Sequence, residues 1–188
     1  MRELSLHILD IAQNAIKAEA EILRIAVIED YQRDLLIIKV KDDGKGMDEE
    51  MLEKVVDPFF TTRTTRKVGL GIPLFKLAAL QCDGDFEIIS KPGVGTEIIA
   101  SFKYSHIDRV PLGNMAETIV TIINVCETMD LIYTHEVEGK SFTLNTKEIK
   151  KMLEGISINN IDVLAWLKSY IEEGLEELRL KEGAHELS

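Results

Sequence analysis

A chain of 188 residues with 45% hydrophobic content has the apolar material for one domain with a proper core, or one domain and a small appendage. Its formal net charge of −11 argues against DNA, RNA or an anionic membrane as the main partner, because those polyanions call for a cationic surface. No run approaches the ~20 apolar residues of a membrane span, and the N-terminus is amphipathic and acid-bearing rather than a basic start followed by an apolar run, so the expected location is cytoplasmic.

The spacing predicts a helix over residues 2–20. Leu4, Ile8, Ile11, Ala12, Ala15, Ile16 and Ala18 fall on one side, and His7, Asp10, Asn14, Lys17 and Glu21 on the other. Ile22–Ile28 and Leu35–Val40 are β-branched runs around a polar turn, which reads as a hairpin. Asp48 can cap a short helix to about Val55. Residues 57–68 carry Pro, Thr and Arg without apolar periodicity and read as a loop. A helix follows from Leu70 to Cys82, stopped by Asp83-Gly84. Phe86–Ile89 and Thr96–Phe102 read as strands around Lys91-Pro92-Gly93-Val94-Gly95. Residues 1–103 therefore form a two-layer α/β sandwich, one mixed sheet with helices on one face.

Residues 104–114 read as a linker. Residues 115–188 read as a small α+β region: a capped helix from Asn114 to about Cys126 (or a strand, given its Ile and Val content), a hairpin over Leu131–Val137 and Ser141–Leu144, and helices over Thr146–Leu153 and Val163–Leu180. Leu164, Leu167, Ile171, Leu175 and Leu178 make an apolar stripe beside Trp166. It suits packing against the hairpin and the first domain, or a homodimer through the C-terminal helix. Cys82 and Cys126 make neither a disulfide framework nor a metal quartet; both read as buried thiols of a reducing compartment.

Three motifs carry chemistry. Asp42 ends an apolar strand and begins Asp42-Asp43-Gly44-Lys45-Gly46-Met47. A carboxylate there can accept a hydrogen bond from the exocyclic amino group of adenine. Glycines at 44 and 46 let the backbone turn against a purine face. Gly69-Leu70-Gly71 opens a helix whose free N–H groups suit phosphate oxygens, and Thr61, Thr62, Arg63, Arg66 and Lys67 put hydroxyls and cations just before it. Asn14 offers a carbonyl oxygen to Mg²⁺, which takes one or two protein ligands and fills the rest with phosphate and water. Asp10 and Lys17 flank it on the same helix face, the first able to work on a water or hydroxyl, the second to meet a phosphate.

In order and combination these boxes resemble the catalytic ATP-binding domain of the GHKL superfamily, whose members include sensor histidine kinases, the ATP-binding part of DNA gyrase, mismatch-repair ATPases and large heat-shock chaperones. Asp57-Pro58-Phe59-Phe60-Thr61-Thr62, Gly69-Leu70-Gly71-Ile72 and Gly93-Val94-Gly95-Thr96 look most like the histidine-kinase branch, over residues 1–103. The resemblance implies ATP and Mg²⁺ as cofactors, with Asn14 as the metal ligand and Asp42 as the adenine reader assisted by Thr96. It implies Gly46 lining the purine pocket, Gly69 and Gly71 at the phosphates, and Phe59 and Phe60 at the base of a lid. Gly44, Met47, Lys17, Thr61, Thr62, Arg63 and Leu70 complete the expected ATP contacts. The family has Glu, Gln or His where this chain has Asp10, a shorter candidate base. Its histidine box does not precede Asn14, so the expected action is on a regulated partner protein in trans, as a kinase, or else as an ATP-gated binding module or slow ATPase.

Overall fold

Side chains alternate between buried and half-exposed along β1 (Ile22–Asp30), which is what a strand with one covered face requires. Its covered set, Leu23, Ile25, Val27 and Glu29, meets Asp42, Val40, Ile38 and Leu36 of β2 (Leu35–Asp42) across an antiparallel ladder. The computed structural model describes residues 3–59 and 70–183, with side chains to Leu180. Among these, α1 (Leu4–Lys17) precedes β1, and α2 (Glu49–Val55) follows β2. Then come α3 (Gly71–Gln81), β3 (Phe86–Lys91), β4 (Gly95–Lys103), α4 (Met115–Val125), β5 (Asp130–Val137), β6 (Lys140–Asn145), α5 (Thr146–Met152) and α6 (Ile161–Gly183).

The six strands form one sheet in the order β3-β4-β2-β1-β5-β6. Residues 115–183 build no sheet of their own. β5 pairs with β1 in parallel, from Ile22↔Asp130 to Glu29↔Val137, and β6 closes the edge as a hairpin on β5. This is the pairing that makes the sheet mixed; β1 to β4 are joined antiparallel. α1, α3, α4 and α6 pack on the face that carries Ile38, Val27, Ala100 and Tyr133, and their buried residues share one core.

Local chemistry explains the helix ends. Asp48 accepts the Met51 N–H at 2.8 Å, and Asn114 accepts that of Glu117 at 3.0 Å. The second cap, with Met115, Ile119, Ile122 and Ile123 buried at helical spacing, decides for helix over strand in α4. Residues 104–114 are tied down. The Pro111 and Leu112 carbonyls accept the N–H groups of Leu4 and Ser5 at 3.0 and 2.8 Å, so this segment satisfies the open end of α1. Arg109 Nε donates to the Tyr104 carbonyl at 2.6 Å while its guanidinium lies over the Tyr104 ring.

One side chain departs from the expected pattern. His7 sits not on the wet face of α1 but in the core, 5.5 Å from the Phe75 ring, because α3 covers that side of α1. Burial drops its pKa to about 4, so the ring is neutral near pH 7. Of the two cysteines, Cys82 is buried and Cys126 half-buried.

Candidate functional site

Towards the Asp42 end of the sheet an apolar helix-facing row gives way to a polar one. Ile88, Ile98, Val40 and Ile25 align across β3, β4, β2 and β1; two residues on, the same alignment brings Ser90, Thr96 and Asp42 beside Leu23. A polar trio thus ends a hydrophobic surface, at the mouth of the layer between sheet and helices. Ser90 Oγ contacts Thr96 Oγ1 at 2.8 Å, accepts the Met47 N–H at 2.8 Å and donates to the Gly95 carbonyl at 3.1 Å. Asp42 Oδ1 accepts the Gly44 N–H at 2.8 Å. Burial pushes the Asp42 carboxyl above its ordinary range, and the N–H groups of Gly44 and Thr96 pull part of the way back.

The loop after Asp42 is held from both sides. Lys45 N–H donates to the Ala18 carbonyl at 2.9 Å, at the end of α1, and its own carbonyl accepts the Gly93 N–H at 2.7 Å. Asp43 Oδ1 accepts the N–H groups of Glu21 and Ile22, both at 2.8 Å. Gly46 adopts φ +67°, and a Cβ there would overlap the Lys91 carbonyl, so neither the conformation nor the space admits a side chain. At Gly44 a Cβ would lie 2.7 Å from that of Ala18, which measures how closely α1 approaches this loop.

The middle of α1 meets the start of α3. Gly71 is buried there, and a Cβ on it would lie 3.0 Å from the Asp10 Cβ and 3.7 Å from Asp10 Oδ2. The position before it, Leu70, is exposed and supplies no side-chain cap, and the start of α3 lies beside the Asp10 side chain. Burial raises the Asp10 carboxyl, and the charge of Lys17 partly offsets this. Residues 10, 14 and 18 follow one another at four-residue steps, about 6 Å of helix rise each. Asn14 therefore stands midway between Asp10 at the α3 terminus and Ala18 at the Asp42 loop. Among the described residues its half-buried amide has no side-chain partner. Lys17 is exposed in the last turn of the same face.

Of the remaining expected residues, Met47 is half-buried with its N–H on Ser90, and Phe59 is 74% exposed with its N–H on Asp57 Oδ1. Pro58 and Phe59 are helical where the sequence predicts a loop. Phe60, Thr61, Thr62, Arg63, Arg66, Lys67 and Gly69 lie outside the described residues.

Residues 2–106 match the model of the histidine kinase-, DNA gyrase B-, and HSP90-like ATPase family. The chain belongs to that family. Its relatives within the ATPase family include the sensor protein kinase FleS of Pseudomonas aeruginosa, 39% identical over 89 residues, covering 47% of this chain and 22% of that protein. The histidine-protein kinase AtoS of Escherichia coli is 35% identical over 95 residues, 50% of this chain and 15% of that protein. The chain thus spans a small part of the relatives it matches. A solved structure of the N-terminal domain of a DNA repair protein shares the fold, with a TM-score of 0.52 at 14% identity over 77% of this chain and 53% of that one.

Three ATPase-domain residues outside the expected ATP contacts have structural parts here. Ser90 joins the Met47 loop to Thr96, Asp43 pins the start of β1, and Ala18 sets the spacing of the Gly44 loop. Ser90 leaves a trace in the sequence, as a hydroxyl where the Phe86–Ile88 alternation calls for an apolar residue. The donor set suits magnesium. Asn14 offers one amide oxygen without a side-chain partner among the described residues, one helix turn from Asp10 and the start of α3, and the further positions would fall to phosphate and water.

Proposed function

We propose that this protein binds Mg-ATP, adenine at Asp42 and phosphates at the start of α3, and acts as a protein kinase on a partner in the cytoplasm. The carrying observation is the polar row of Ser90, Thr96 and Asp42, joined along one helix face to the Asp10–Gly71 contact. An ionised Asp42 accepts the adenine amino group, and Gly44 and Gly46 leave room for a flat ring. Asn14 would hold the metal, whose charge, when it is bound, neutralises the phosphates. Asp10 is the base candidate. Its arm is short, but α3 comes within contact distance of it, and its raised pKa makes it a better proton acceptor than a solvated carboxylate. Exposed Leu70, Leu74 and Leu77 extend from this point along α3, an apolar track on which a protein substrate could rest.

The short Asp10 side chain also favours a second reading, in which nucleotide binding gates a protein contact and turnover is slow. Incubation with γ-labelled ATP, with and without cell extract, separates the two. Label on a protein, lost in Asp10→Ala, supports the kinase. Free phosphate alone, or tight binding with neither product, supports the gate.

A further inference from the structure

Residues 107–183 lie outside the family match, and part of their surface is apolar where a solvated appendage would be polar. α5 and the first half of α6 wall a groove of about 340 Å³ lined by Ile149, Met152, Leu153, Asp162, Val163 and Trp166. Met152 is 76% and Trp166 51% exposed. The groove rests on a firm base. Trp166 stacks on Tyr170 at 5.1 Å and 12°, Tyr170 meets Phe142 in a tilted contact at 5.5 Å, and Phe142 meets the buried Tyr133 at 6.4 Å. This file of rings runs from the core to the surface, so its outermost member is held in place before anything binds.

Charge says what covers it. At 100° per residue, Asp162, Trp166, Tyr170, Glu173 and Glu177 fall within about 80° of one another on α6, away from the buried line of Leu167, Ile171 and Leu178. Glu148 shares the Met152 face of α5, one turn before it. None of these four carboxylates forms an ion pair with another described residue. Of the cations nearby, Lys150 is bound to Asp130 and the Glu127 carbonyl, Lys147 and Lys168 fall on other sides of their helices, and Lys151, beside Glu148 on α5, forms no ion pair with another described residue. A second copy would set this stripe against its own acids and rings, with no cation among the described side chains of the α6 stripe on either. An extended peptide would find walls whose backbone groups are already used within helices, and would bury its own unpaired. A helix brings its hydrogen bonds with it.

We propose that this groove docks a basic amphipathic helix of a partner protein, its apolar residues against Met152, Trp166 and Tyr170 and its Lys or Arg residues against Glu148, Asp162, Glu173 and Glu177. The stripe from Asp162 to Glu177 runs about 22 Å, room for roughly four turns.

Trp166 is the single tryptophan of the chain, so its emission reports the groove directly. The probe is a synthetic helical peptide of roughly 15 residues, Leu on one face and Lys on the rest, titrated into the full chain. The expected result is a saturable blue shift at one peptide per chain. The shift weakens roughly tenfold or more in Met152→Glu and in Glu173→Lys with Glu177→Lys, both exposed and checked for folding by circular dichroism. A control peptide with Glu in place of every Lys leaves the emission unchanged. No shift, an equal shift with the Glu peptide, or a shift that survives both variants overturns the proposal. So does a blue shift that grows with protein concentration alone and accompanies a doubling of mass, which assigns the groove to a second copy.

Discussion

Two carboxylates on the helix-facing side of the same sheet have opposite fates. Asp42 ends β2, and Glu29 lies near the far end of β1, six residues or about 20 Å along the strands from the Asp42 row. Burial pushes both carboxyls up. Glu29 is answered: His135 Nε2 stands 3.5 Å away, the Tyr31 hydroxyl donates at 3.4 Å and Arg179 adds its charge, so its pKa ends below the usual range. His135 is fixed in turn by the Tyr133 hydroxyl at 2.7 Å, whose proton burial holds in place. Asp42 gets backbone N–H groups alone, and its pKa stays raised. A satisfied carboxylate holds a fold together; a half-buried one left short of donors has acceptor capacity that a ligand could meet.

The sharpest break in that contrast is Asp42→Asn. The amide keeps an acceptor for Gly44 but offers adenine a mixed group, so ATP affinity falls about a thousandfold, while calorimetry finds a melting temperature no lower than the parent's. Glu29→Ala does the reverse. It strands His135 in the core and costs roughly 3 kcal/mol, a fall of roughly 6–12 °C in melting temperature, with ATP affinity of the folded protein unchanged. Gly46→Ala strikes both properties, since the positive φ and the Lys91 carbonyl oppose a Cβ; about 1–3 kcal/mol of stability is lost along with nucleotide binding. Asn14→Ala reduces the magnesium-dependent gain in ATP affinity on the order of tenfold and leaves metal-free binding as it was.

Acid gives the smallest and most graded test. Asp42 has a raised folded pKa, and adenine needs its ionised form. ATP affinity therefore declines as pH falls, starting above the ordinary aspartate value of 3.8. Ionisation of Asp42 costs the fold something above that pH, and protonation returns it. Glu29 has a lowered folded pKa, so its contribution to stability is whole above 4.5 and is lost as pH falls through the folded value. Binding should fail before folding does, by isotherms and melting curves taken over the same pH series.

The parts written in local pattern were legible in the sequence. The strands of β1 to β4, the caps Asp48 and Asn114, and the glycine turn at Gly46 follow from side-chain alternation, short-range hydrogen bonds and a conformation that glycine adopts freely. What the sequence did not disclose depends on distant partners. Nothing in Asp130–Val137 says that it lies parallel to β1, since that contact spans about a hundred residues. His7 reads as wet until Phe75 packs over it. The Asp10–Gly71 contact joins two motifs whose mutual approach neither one spells out, and Ser90 carries no motif at all.

The most direct measurement compares ATP with GTP by isothermal titration calorimetry, in the parent protein and in Asp42→Asn. Guanine presents a carbonyl oxygen where adenine presents its amino group, so a carboxylate acceptor should bind ATP and reject GTP, and the variant should lose most of that preference. Equal affinity for the two nucleotides in the parent, or an undiminished preference for ATP in the variant, would contradict the assignment of Asp42 as the group that reads the base.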